Sequence, residues 1–176
     1  MTEKKSEREF IPLNIAVLTI SDSRTEETDT SGQRLIDLLE RQGHELHEKK
    51  IVPDDKYAIR AEVSHWIADE DVHVVLTTGG TGVTGRDGTP EAVSVLFDKT
   101  LDGFGETFRA ISFQQIKTST IQSRAIAGVA NGTYIFSMPG SMGACATAWD
   151  ELIRLQLDYR TRPCNLVELM PRLRET

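Results

Sequence analysis

A glycine-rich segment over positions 77–90, TTGGTGVTGRDGTP, has the composition of a loop that could surround an anion. Glycines such as Gly80 and Gly82 let consecutive backbone amides point inward without a Cβ in the way, an arrangement that binds phosphate. The same segment carries a carboxylate, Asp87, which would repel a bare phosphate. A bridging divalent cation, most simply Mg²⁺ carried with a nucleotide, reconciles the amides with the acid.

Two familiar phosphate-binding motifs fit this segment poorly. Residues 80–85 match GxGxxG, but a dinucleotide-binding helix opens within that motif, whereas the helix signal here waits for Pro90. A Walker loop requires Lys and then Ser or Thr, where this chain has Arg86 and Asp87. An ordinary turn is also compatible with the segment, with Asp87 paired to Arg86 or capping the next helix.

Further carboxylates and hydroxyls follow the other predicted strands. They occur in Ser21-Asp22, in the stretch 29–32 (Asp-Thr-Ser-Gly), in Pro53-Asp54-Asp55 and in the stretch 137–141. Each group could contribute to a ligand site, and each could equally cap the helix that follows it. For Asp54 and Asp55 capping is the commoner role of such a pair.

Apolar runs typical of strands alternate with patterns typical of amphipathic helices. Strands are expected over 14–21, 44–52, 72–77 and 133–138, and helices over about 30–42, 55–67, from 90, over 103–115 and over 141–157. This alternation predicts a three-layer α/β/α fold with a mainly parallel sheet. Because the carboxyl ends of parallel strands meet at one edge, the polar segments should converge there.

Composition limits the functions that the chain can serve. With 176 residues, 39% of them hydrophobic, it fits a single domain over 10–176, preceded by a polar, disordered lead-in over 1–9. A net charge of −7 disfavours binding to nucleic acid. The absence of a signal-like or membrane-length apolar run, and two cysteines without a pairing pattern, predict a cytoplasmic protein rather than a secreted or membrane-spanning one.

In combination, the motifs TISD, DTSG, IVPDD, TTGGTG followed by RDGTPEA, GFGETFRAIS and SMPGS resemble the MoaB/MogA family of molybdenum cofactor biosynthesis, over about residues 11–158. The resemblance implies a domain that binds molybdopterin and Mg-ATP. It implies transfer of AMP to the terminal phosphate of molybdopterin, with release of pyrophosphate. It also implies a homotrimer or homohexamer that acts with other molybdenum cofactor biosynthesis proteins.

The resemblance assigns roles position by position. Asp54 and Asp87 match two family carboxylates that act with Mg²⁺ in adenylyl transfer, and Ser112 matches a serine that holds the phosphate end of molybdopterin. The positions implied on the pterin side are Ser21, Asp29, Ser31 and Gly32, and those on the nucleotide side are Thr78, Gly79, Gly80, Thr81, Gly82, Pro139 and Gly140.

Two other functions are compatible with the same motifs. A non-catalytic molybdopterin-binding or scaffold protein of the pathway would keep the pocket but would not need Asp54 and Asp87 around Mg²⁺. A nucleotide-binding regulatory module would need ATP but not Ser112 or the pterin-side residues. The enzyme hypothesis therefore requires that Asp54 and Asp87 project into the same region.

Overall fold

The computed structural model describes residues 8–176. Its strands form a six-stranded sheet in the order β2-β1-β3-β6-β5-β4. The strands β2, β1, β3 and β6 run parallel to one another, and β5 is antiparallel to both of its neighbours. This arrangement confirms the mainly parallel sheet. The strands are β1 (Asn14–Ile20), β2 (Glu45–Val52), β3 (Val74–Thr78), β4 (Lys99–Thr100), β5 (Ile126–Ala130) and β6 (Thr133–Met138).

Helices cover both faces of the sheet. One hydrophobic core lies between the sheet and α1, α4 and α5, and a second lies between the sheet and α2 and α3. The three-layer arrangement is thereby confirmed. The helices are α1 (Thr30–Gln42), α2 (Lys56–Ala68), α3 (Thr89–Val93), α4 (Asp102–Ile116), α5 (Met142–Ala148) and α6 (Arg154–Gln156). Within residues 8–176, no helix combines the length and apolar character needed to cross a bilayer.

Two aspartates begin the helices that follow β1 and β2. The Asp29 carboxylate accepts the Gly32 N–H at 2.9 Å and so caps α1. At the start of α2 the cap is Asp55, which accepts the Tyr57 N–H at 3.0 Å. Because Asp55 takes the capping role, the adjacent Asp54 is left available for another function.

The antiparallel edge of the sheet was not predicted from the sequence. The residues Asn131-Gly132 form the turn that joins β5 to β6, and both have positive φ, 48° and 82°, as a type I′ hairpin requires. The strand β5, IAGVA, consists largely of alanine and glycine, which have little intrinsic β preference. Pairing with β6 therefore forms this strand, and the local sequence gives no sign of it. The predicted last helix also differs, because a π-helical turn over Trp149–Ile153 joins α5 to α6.

The ends of the described chain pack together. Arg8 donates to a carboxylate oxygen of Glu168 at 2.7 Å and to the Tyr159 carbonyl at 3.2 Å. The Tyr134 hydroxyl in β6 donates to the Leu166 carbonyl at 2.9 Å. The lead-in predicted over 1–9 lies mostly outside the described residues, of which Arg8 is the first.

His44, between α1 and β2, is a buried titratable ring with 4% of its surface exposed. Its Nδ1 accepts the Leu13 N–H at 3.1 Å, and the ring packs against Phe10 and Trp149. Within residues 8–176 its Nε2 has no hydrogen-bond partner. Burial lowers the pKa of His44 to about 4, and the charge of Asp158 opposes this only in part.

We expect His44 to make the fold sensitive to mild acid. A histidine with a folded pKa of about 4 and a usual value of 6.5 stays neutral in the folded chain while the unfolded chain binds a proton. Stability is therefore lost as the pH falls from 6.5 towards 4, by up to about 3 kcal/mol from this group. Urea unfolding of the parent and of His44→Asn, which keeps an acceptor but cannot be protonated, measures the effect. An equal loss in both proteins between neutral pH and about pH 4.5 would refute it.

Candidate functional site

A cavity of about 620 Å³ opens at the edge where the parallel strands end. Its walls come from the end of β1, the β2–α2 turn, the glycine-rich loop after β3, α4 with the turn that follows it, and the β6–α5 turn. A cavity of this size can hold a cofactor or nucleotide. As expected for a parallel sheet, segments far apart in sequence meet at this edge.

The structure brings most of the predicted site residues to this cavity. Those that line it are Asp54, Gly79, Gly80, Thr81, Gly82, Asp87, Ser112, Pro139 and Gly140. Those that are not among its lining residues are Ser21, Asp29, Ser31, Gly32 and Thr78. Asp54 and Asp87 thus project into the same region, which the enzyme hypothesis requires.

The residues outside the cavity lining hold its walls in place. Asp29 is 1% exposed, and in addition to capping α1 it accepts the Thr19 hydroxyl at 2.7 Å. The Thr78 hydroxyl donates to the Pro139 carbonyl at 3.1 Å, which ties β3 to the β6–α5 turn. The Ser21 hydroxyl accepts the Ser23 N–H at 3.2 Å. These side chains are therefore hydrogen-bonded within the protein.

The first two glycines of the loop have a backbone that only glycine adopts easily. Gly79 and Gly80 have φ of 107° and 68°. A Cβ on Gly79 would overlap the Ile20 carbonyl oxygen, and one on Gly80 would overlap the Thr89 hydroxyl. The same close approach lets the Gly79 N–H donate to the Met138 carbonyl at 3.0 Å, while the Thr89 hydroxyl donates to the Gly79 carbonyl at 2.8 Å. The loop is therefore bonded to β6 and to the start of α3, and it packs closely against the end of β1.

The two carboxylates in the cavity have different environments. Asp54 accepts the Asp22 N–H through Oδ2 at 2.9 Å, and burial, with the nearby charges of Asp22 and Asp87, raises its pKa. Asp87 accepts the hydroxyl and the N–H of Thr84 through Oδ2, at 2.6 and 2.9 Å, and these bonds lower its pKa. The two alternatives for Asp87 can now be decided. It neither pairs with Arg86, which pairs with Asp22, nor caps α3, whose cap residue is Gly88.

The carboxylates flank positions of the loop that are two residues apart. A Cβ built on Gly80 would lie 3.3 Å from Asp54 Oδ1, and one on Gly82 would lie 2.6 Å from Asp87 Oδ2. Among residues 8–176, Asp54 Oδ1 makes no hydrogen bond, so this oxygen is free to bind a ligand. The charge of Asp87 also contributes to the raised pKa of Asp54, which places the two acids within electrostatic reach of each other.

These residues fit a divalent cation that arrives with a phosphate ligand. Mg²⁺ commonly binds one or two carboxylates and completes its shell with water and substrate phosphates. In the described part of the chain, no group of three or more His, Cys, Asp or Glu side chains could hold a metal ion. None of the described residues that line the cavity is Lys or Arg. The site therefore offers two carboxylates as candidate metal ligands, and the other coordination positions would fall to water and phosphate oxygens.

Several site residues were missed in the sequence. The Arg124 guanidinium holds the glycine-rich loop in place. Its Nε donates to the Gly82 carbonyl at 2.7 Å, and its Nη2 donates to the Asp87 carbonyl at 3.1 Å. The same guanidinium also pairs with Glu91. No local signal indicates this contact, since Arg124 lies 37 residues from Asp87. Three further lining residues had a usable signal, because they follow the predicted Ser112 at helical spacing: Gln115, Ser119 and Gln122.

Comparison with known proteins agrees with this geometry. Residues 16–159 match the protein family described as "Probable molybdopterin binding domain". The chain belongs to this family. One member, Molybdenum cofactor biosynthesis protein B of Escherichia coli (strain K12), is 60% identical over 157 residues, which cover 89% of this chain and 92% of that protein. The resemblance drawn from the motifs is therefore confirmed.

Solved structures related to the probable molybdopterin-binding domain share the fold. A crystal structure of Molybdenum cofactor biosynthesis protein B has a TM-score of 0.83 and 49% identity, covering 85% of this chain and 94% of that one. The tungsten cofactor synthesizing protein MoaB from Pyrococcus furiosus has a TM-score of 0.72 and 38% identity, covering 80% and 90%. The fold of this chain is thus the fold of the family.

The glycine loop gives a stability prediction. Gly79→Ala should lower the free energy of unfolding by at least about 2 kcal/mol, because alanine is strained at φ 107° and its Cβ meets a backbone carbonyl. Gly85→Ala is the matched control, since a Cβ there meets nothing within 4 Å. Chemical denaturation of both variants measures the difference. Equal stabilities would contradict the fixed conformation of the loop.

Proposed function

We propose that this chain binds molybdopterin and transfers the adenylyl group of ATP to its terminal phosphate, which yields adenylylated molybdopterin and pyrophosphate. The observation that carries the proposal is the meeting of Asp54 and Asp87 in one cavity beside the glycine loop. Membership of a family described as a probable molybdopterin-binding domain supports the choice of the acceptor. The name of the Escherichia coli relative supports the choice of the pathway.

The reaction is a displacement at phosphorus. A terminal phosphate oxygen of molybdopterin forms a bond to the α-phosphorus of ATP, and the bond from that phosphorus to the oxygen bridging the α- and β-phosphates breaks. Pyrophosphate leaves with the electron pair of the broken bond. Reactions of this class need positioning and charge neutralisation more than a covalent nucleophile. The cavity matches that requirement, because its lining is rich in glycine, hydroxyl and amide groups.

Different walls of the cavity would bind the cation, the nucleotide and molybdopterin. Asp54 and Asp87 would hold Mg²⁺, which when bound neutralises charge on the ATP phosphates. Gly79 to Gly82 would contact the nucleotide, with a backbone already fixed by Thr89 and β6. Ser112, on the opposite wall within α4, would donate its hydroxyl to the phosphate end of molybdopterin. The two substrates would then meet near the acids.

The direct test is release of pyrophosphate by the purified chain with molybdopterin and Mg-ATP. We expect release by the parent chain and a loss of about 100-fold or more in Asp87→Ala and Asp54→Asn, because each removes a charged ligand of the cation. Asp37→Asn is the control, since Asp37 is exposed on α1 and its partner Gln33 can still bind an asparagine. Its rate should match that of the parent.

The other functions give different results in the same experiment. No release above the background of Asp87→Ala, with molybdopterin still bound, would refute catalysis and support a scaffold protein. Binding of ATP without molybdopterin would refute the acceptor and support a regulatory module. Equilibrium titration with each ligand separates these outcomes.

A further inference from the structure

Asp22 occupies the central position among the loops at the carboxyl edge of the sheet. The strand β1 lies between β2 and β3, so the loop after β1 lies between the loop that carries Asp54 and the loop that carries Asp87. Asp22 is in that middle loop, directly after Ser21, whose N–H still pairs with β2 at the Val52 carbonyl. The topology therefore puts Asp22 within reach of both candidate metal ligands.

Asp22 and Asp54 exchange two hydrogen bonds. The Asp22 N–H donates to Asp54 Oδ2 at 2.9 Å, and the Asp54 N–H donates to Asp22 Oδ1 at 3.0 Å. The first bond orients the Asp54 side chain and leaves its Oδ1 directed towards Gly80. The second bond fixes the backbone of the β2–α2 turn. Together they determine where the Asp54 carboxylate lies.

Arg86 connects this pair to the glycine loop. Its Nε donates to Asp22 Oδ2 at 2.8 Å and its Nη2 to Asp22 Oδ1 at 2.7 Å, which is a two-pronged ion pair. The guanidinium lowers the pKa of Asp22 and so keeps that carboxylate ionised. Because Arg86 directly precedes Asp87, the same contact also fixes the chain at Asp87.

We propose that Asp22 and Arg86 form a clamp that closes the glycine loop against Asp54 and sets the separation of Asp54 and Asp87 for a divalent cation bound with nucleotide phosphates. The inference rests on the proposed function, and it assigns Asp22 and Arg86 as positioning residues. Neither lines the cavity, so both act through the neighbouring acids. The same loop is also held by Arg124, which donates to the Gly82 and Asp87 carbonyls.

The clamp should matter more for the site than for the fold. The side chains of Arg86 and Asp22 are 64% and 44% exposed, and an ion pair so accessible to water adds little to global stability. Its effect is local, since it restrains the loop over 82–88 relative to β1.

The test uses Asp22→Asn, Arg86→Lys and the double variant in the full chain. Asparagine can still accept the Asp54 N–H, and lysine keeps the charge, so each change removes mainly the two-pronged pair. The control is Arg172→Lys, because Arg172 makes a similar exposed two-pronged pair with Glu175 outside the cavity lining. All four proteins should melt within about 3 °C of the parent.

We expect hydrogen–deuterium exchange of the loop amides over 82–88 to become about 3- to 5-fold faster in both single variants without ligand. The Mg²⁺ concentration for half-maximal pyrophosphate release should rise by a similar factor, while KM for molybdopterin stays within about twofold. The double variant should be no worse than the more affected single variant, because both lose one shared interaction. Arg172→Lys should match the parent in every measurement.

Unchanged loop exchange, or an unchanged Mg²⁺ requirement in both variants, would overturn the clamp. Independent losses that add in the double variant would overturn it as well. The exchange measurement needs no ligand, so it decides on the clamp even if the parent chain releases no pyrophosphate. That last result would overturn the proposed function by itself, and the two failures are therefore distinguishable.

Discussion

The repulsion among carboxylates at one edge of the sheet is the constraint on which this structure depends. The strand order β2-β1-β3 places the loops bearing Asp22, Asp54 and Asp87 side by side. The pKa of Asp54 is raised. Burial is the largest cause, and the charges of Asp22 and Asp87 add to it. Arg86 neutralises Asp22, and the described cavity lining contains no Lys or Arg for the other two. Under the proposed function, a bound cation would balance the charges of Asp54 and Asp87.

The net charge of −7 bears directly on how the proposed ligands could bind at this edge of the sheet. The ligands proposed for the chain are anions, which an acidic protein would repel over its surface. Under the proposed function, Asp54 and Asp87 would offset this repulsion locally by binding a cation. Gly79 and Gly80 bring the loop backbone close to β1 and β6, and Arg124 donates to two carbonyls of the loop. The same loop therefore tolerates little change at Gly79 and much more at Gly85.

Sequence reasoning recovered the parts of the fold that local patterns encode. The alternating strand and helix patterns gave the four parallel strands, and the helix expected over about 30–42 coincides with α1. It did not recover β5, whose alanines become a strand only through pairing with β6. The same distinction holds at the site. Motifs indicated Asp54 and Asp87, but the role of Asp22 as their link depends on strand order, which short-range patterns do not contain. For several predicted pterin-side residues, among them Asp29, the structure shows internal contacts that a motif cannot reveal.

In the proposed function, Asp54 and Asp87 share one divalent cation with a nucleotide phosphate. Anomalous diffraction from crystals grown with Mn²⁺, in place of Mg²⁺, and a non-hydrolysable ATP analogue would locate that cation. We expect one strong Mn²⁺ peak within about 2.5 Å of a carboxylate oxygen of each residue and of a phosphate oxygen. A nucleotide bound in the cavity without a metal ion between the two aspartates would contradict it.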